Sequence, residues 1–100
     1  MNRLLIAGDS YLQLRESEKA IPHLERLVAL RRRSQDWLLL GIARYQCGRK
    51  ATGIAAVQHA VEIQPFRADL HMTLSDMFKD SGKDDESDVH RRTAELLNEL

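Results

Sequence analysis

The sequence has no apolar run near the roughly 18 residues that cross a membrane, because Arg44 interrupts the longest one. Its opening stretch, MNRLLIAGDS, is too short and too polar to read as a secretory signal. The expectation is a chain without a membrane partner. A single cysteine, Cys47, excludes an internal disulfide and favours a reducing compartment such as the cytoplasm. Only two prolines and five glycines interrupt 100 residues, so long stretches are free to be helical. Formal net charge is zero, which removes a general pull toward nucleic acid. No Gly-rich phosphate loop and no nucleophile motif is present, and the sequence implies no cofactor and no enzyme.

What is present is one small domain's worth of apolar and charged residues, 43% and 30% of the chain. The charges are sorted along it. Residues 1–67 carry eleven Lys and Arg against six Asp and Glu, whereas residues 68–100 carry four against nine. The chain runs from a basic end to an acidic end.

It also repeats itself. A shift of 34 places Trp37 on His71, Leu40 on Leu74, Gly41 on Ser75, Gly48 on Gly82 and Ala60 on Ala94. A shift of 33 places Leu4 on Trp37, Gly8 on Gly41, Ala20 on Gly53, Leu24 on Val57 and Val28 on Val61. Within each segment the apolar spacing is helical. Ile54, Val57, Ala60 and Val61 recur at three and four, and Leu38 and Leu39 break any alternation. Gly48 and Gly82 are natural helix stops, and so is Pro65. Ser17 suits a helix start after a turn in LRESEKAI, and Pro22 then suggests a slight bend. The pattern predicts six helices in three hairpins, with turns near residues 15–17, 31–34, 48–51, 65–67 and 81–84.

Trp37-x-x-Leu40-Gly41, followed by Gly53, Val57, Ala60 and Pro65, resembles the tetratricopeptide repeat (TPR), a helix–turn–helix unit. The third segment keeps Leu74, Ser75, Phe78, Ser87 and Ala94, and the first keeps Leu4, Gly8, Tyr11, Ala20 and Leu24. Departures are Arg44 for an aromatic, Leu27 for a small residue and Arg32 for proline. The resemblance implies an all-α fold of three tandem repeats, 1–33, 34–67 and 68–100, forming a short right-handed solenoid. In such repeats Gly41 would let two helices approach closely, while Trp37 and Leu40 fill the crossing.

The same resemblance implies a concave groove lined by the first helix of each pair. Its positions here are Leu5, Ile6, Asp9 and Leu12, then Leu38, Leu39, Ile42 and Tyr45, then Asp69, Met72, Asp76 and Asp80. The groove reads as apolar over two repeats and acidic over the last. TPR domains that hold chaperone C-terminal carboxylates resemble one another in a clamp of Lys, Asn and Arg. The matching positions, Leu5, Asp9, Leu39, Asp69 and Thr73, supply no cation, so that ligand is disfavoured. An apolar groove on a small repeat protein also resembles secretion chaperones that hold extended segments.

Other candidates for chemistry are weak. Cys47 has no histidine at helical spacing, and His23, His59, His71 and His90 lack metal-ligand spacing. Arg31, Arg32 and Arg33 form a basic run at a turn, without interleaved aromatics. Asp88, Arg91 and Glu95 replace the apolar outer positions of earlier repeats, which suggests that the array ends there. The functional expectation is a groove that binds an apolar or amphipathic segment of another protein. The alternatives are self-association as a weak homodimer, steered by the charge gradient, and a regulatory appendage of a larger protein such as an enzyme.

Overall fold

The computed structural model describes residues 7–100, with side chains from Glu16 onward. Five helices follow in order: α1 (Ala7–Leu30), α2 (Ser34–Gln46), α3 (Lys50–Ile63), α4 (Ala68–Asp80) and α5 (Asp84–Asn98). No strand occurs among the described residues. The helices pack in chain order, α2 against α3 and α4 against α5 as hairpins, with α1 laid on α2.

Turn chemistry explains four of the five predicted breaks. Gly48 and Gly82 take positive φ, 87° and 80°, where a side chain would be strained. Each closes its helix with a bond back across the left-handed residue. Arg49 N–H donates to the Arg44 carbonyl at 2.9 Å, and Lys83 N–H donates to that of Phe78 at 2.8 Å. The α3–α4 turn carries Pro65, and the α1–α2 break spans the three residues Arg31 to Arg33. Arg31 leaves that basic run to grip Asp36 in the first turn of α2, at 2.7 and 3.1 Å. The guanidinium hydrogen bonds hold the Asp36 carboxyl below its usual range.

The fifth break is absent. α1 runs unbroken through residues 15–17, so five helices form among the described residues rather than six. The reason is local. Residues 12–19, LQLRESEK, are good helix formers with no glycine or proline to stop them. Ser17 is therefore not a helix cap. Its hydroxyl is buried and donates to Gln46 Oε1 at 2.5 Å, tying α1 to the end of α2.

Two apolar clusters hold the stack. Ile21 and Leu24 of α1 meet Leu40, Ala43 and Ala56. Leu38, Ile54, Val57 and Ala60 meet Leu70, Leu74, Met77 and Phe78. Trp37 packs against both. Where α2 crosses α3, an added Cβ on Gly41 would lie 2.5 Å from Val57 Cγ2 and 2.7 Å from the Gly53 carbonyl oxygen. A Cβ on Gly53 would be equally constrained, 2.7 Å from the Gly41 carbonyl oxygen. The expected close helix approach is therefore real.

Candidate functional site: the α2–α4 face

The residues predicted to line a groove have different fates. Leu38 is 7% exposed and belongs to the second core cluster, so it holds the fold rather than meeting a partner. Ile42 and Tyr45 are half-buried against the same cluster. Leu39 and Met72 remain at the surface, 42% and 39% exposed. Leu5 and Ile6 lie outside the described residues. Asp9 and Leu12 fall within α1, but their side chains lie outside the description.

The acidic members are largely engaged. Arg67 donates to both Asp69 oxygens, at 3.0 and 2.5 Å, and keeps that carboxyl below its usual range. Arg67 also reaches Ser34 Oγ and Gln35 Oε1, bracing α4 against the start of α2. The Ser34 hydroxyl in turn donates to Gln64. At the far end the Tyr45 hydroxyl donates to Asp80 Oδ2 at 2.5 Å, with Lys50 Nζ 3.3 Å from the same oxygen. Both contacts lower the Asp80 pKa, while burial and the Asp80 bond raise that of Tyr45. Asp76 makes no ion pair among the described residues. The predicted acidic positions thus carry less free negative charge than the sequence suggested.

The remaining candidates are placed as follows. Cys47 is half-buried beside Glu18 and Arg49, and burial pushes its thiol pKa up. His59 stacks on Trp37 with ring centroids 4.5 Å apart. Sequence spacing missed one constellation: His71 and His90 meet, Nδ1 to Nδ1, at 3.1 Å. No group of three or more metal-ligating side chains is gathered among the described residues. Nor is any helix among them long and apolar enough to cross a membrane. Asp88, Arg91 and Glu95 are exposed on α5, together with Val89 and Leu96.

Comparison with solved structures settles the architecture. MamA 41-end from Desulfovibrio magneticus RS-1 is 25% identical, with a TM-score of 0.83 over 97% of this chain and 59% of that one. The RS-1 MamA ArsTM double mutant is 26% identical, with a TM-score of 0.82 over 88% of this chain and 50% of that one. MamA from MSR-1 is 22% identical, with a TM-score of 0.81 over 89% and 52%. The fold is a TPR-like helical solenoid. The chain spans between half and three-fifths of the length of these MamA structures. No family model matches the sequence, and no curated protein matches it.

Proposed function

We propose that the chain is a protein–protein interaction module that holds an apolar or amphipathic segment on the α2–α4 face. The observation that carries this reading is the exposure of Leu39 on α2, one turn before half-buried Ile42, together with that of Met72 on α4. An apolar strip with a polar border is the usual mark of an interaction surface. A fold shared with MamA supports an interaction or scaffold role of this kind. Magnitudes make the binding weak. Half-exposed Leu39, Ile42 and Met72 contribute roughly 1 kcal/mol each on full burial. Association costs about 4–15 kcal/mol, so the partner must also touch residues beyond these three.

Leu39→Asp and Met72→Asp test the reading because neither side chain belongs to the core clusters. Each variant is expected to keep the wild-type circular dichroism spectrum and to lose binding to amphipathic helical peptides at least tenfold in titration calorimetry. Peptide binding that survives both substitutions moves the site elsewhere.

A second reading, self-association, is favoured by the flank of α1. His23 is exposed and Leu27 half-buried where the matching residues of α3, Ala56 and Ala60, are buried. Among the described residues that flank has no covering helix of the kind that α2 supplies to α3. The basic-to-acidic gradient would steer two copies together, with screening beyond ~10 Å at about 0.1 M salt. Light scattering over a concentration series is expected to show a weak dimer whose association rate falls with salt. A monomer persisting to millimolar concentration at low salt removes this reading.

A further inference from the structure

α5 packs chiefly on its hairpin partner α4. Ser87 and Ala94 are its buried side chains, and Val89 and Leu96 face solvent. Ser87 exchanges a hydroxyl bond of 3.0 Å with Ser75. The other polar link to α4 is the pair His71 and His90. His71 is 8% exposed, and its Nε2 lies 2.9 Å from the Pro65 carbonyl oxygen, so Nε2 must carry a hydrogen. Its Nδ1 faces His90 Nδ1 at 3.1 Å, a distance that admits one hydrogen between the two nitrogens and not two. The His90 ring also stacks on Phe78, with centroids 5.6 Å apart and planes 12° apart.

The hydrogen count fixes what each protonation state does. In the neutral pair, His90 Nδ1–H donates to His71 Nδ1. With one added proton, a His71 imidazolium donates from Nε2 to Pro65 and from Nδ1 to His90, so both bonds are kept. A second proton puts two N–H groups face to face and two like charges in a half-buried site.

We propose that His71 and His90 form an acid-operated latch, in which the second proton drives α5 off α4. The site offers no relief for that second charge. From α4 the groups facing His90 are His71 and uncharged Phe78, and the Pro65 carbonyl of the α3–α4 turn is taken up by His71 Nε2. Burial, then the His71 charge, lowers the His90 pKa, and no carboxylate acts on it among the described residues. Because the folded value is depressed, the docked state binds fewer protons than the undocked state below the ordinary histidine value of about 6.5. Docking is therefore fully present above that pH and weakens as pH falls through it. Release uncovers the side of α4 that carries His71, Ser75 and Phe78, the residues that meet α5.

Hydrogen exchange at pH 7.5, 6.0 and 5.0, corrected for the intrinsic rate, tests the latch on the full chain. In the wild type the opening of α5 amides is expected to rise several-fold between pH 6.0 and 5.0, with about tenfold as the ceiling for one proton, while α2 amides stay protected. His90→Phe keeps the stack on Phe78 and removes the second titrating ring, so α5 opening becomes flat with pH. His71→Gln keeps a donor for Pro65 and an acceptor for His90 and removes the second charge. It makes the profile shallower than wild type while burial of His90 leaves a residual slope, a second route should His90→Phe fold poorly. His59→Gln serves as a control on an exposed histidine and leaves the wild-type profile unchanged. An α5 opening that rises no faster than that of α2, or a pH dependence kept in both pair variants, overturns the latch.

Discussion

Gly41→Leu is expected to destabilise the protein by about 3 kcal/mol or more, at or beyond the upper end of ordinary overpacking. The first added atom already meets Val57 Cγ2 at 2.5 Å and the Gly53 carbonyl oxygen at 2.7 Å. Val57 can turn only by disturbing the cluster in which it is fully buried. The Gly53 oxygen is backbone and yields only if α2 and α3 separate. Against a total stability of about 5–15 kcal/mol, such a loss is a large fraction. For a chain of this size it corresponds to a melting temperature lower by roughly 12–24 °C.

The double variant Gly41→Ala with Val57→Ala separates the two contacts. Removing the Val57 methyls relieves one contact and leaves the oxygen 2.7 Å from the new Cβ. The pair is therefore expected to be less stable than either single variant, with no rescue. Full rescue in thermal melts would place the clash on Val57 alone and show that the helices can part cheaply.

How far the sequence disclosed the fold depended on whether local and repeat signals agreed. In α2–α3 and α4–α5 they did. The repeat register placed Gly41 and Gly53 at a crossing, and Gly48, Pro65 and Gly82 supplied the breaks. In the first segment they conflicted. Gly8 and Ala20 match Gly41 and Gly53, yet nothing between them stops a helix, and propensity prevails in α1.

The candidate site was only partly legible. Leu38, Leu39 and Leu40 are consecutive and spread over some 200° of a helix with 3.6 residues per turn. The register could assign them to a groove or a core, but not say how much of that arc neighbouring helices would cover. Leu38 and Leu40 went to different clusters, and Leu39 stayed outside. The His71–His90 pair escaped because ligand spacing was the wrong test. The repeat register supplies only half of it. His71 occupies the place of Trp37 one repeat earlier, and Trp37 itself stacks on a histidine of the following helix, His59. The same shift of 34 places His59 on Thr93, however, and His90 takes the place of Ala56, so the partner was not legible from the register.

The second large effect is expected from Leu74→Ala. Leu74 is fully buried among Leu38, Ile54, Val57 and Leu70, with Met77 and Phe78 beside it on α4. Truncating a buried leucine costs about 2–5 kcal/mol, the loss of apolar transfer plus the cavity left behind. A linear stack raises the question of where that loss is felt, since each repeat contacts only its neighbours. Here α2 and α3 each feed both clusters: Leu38 and Ile54 enter one, Leu40 and Ala56 the other. Trp37 touches both and reports on the α1 side as well as the α4 side. Leu74→Ala is therefore expected to lower Tm for the whole chain, with circular dichroism and Trp37 fluorescence falling together. An early loss of helix signal with Trp37 fluorescence unchanged would mean that α4 and α5 melt as a separate unit. In that case the shared helices do not couple the two clusters strongly enough to make the stack one cooperative body.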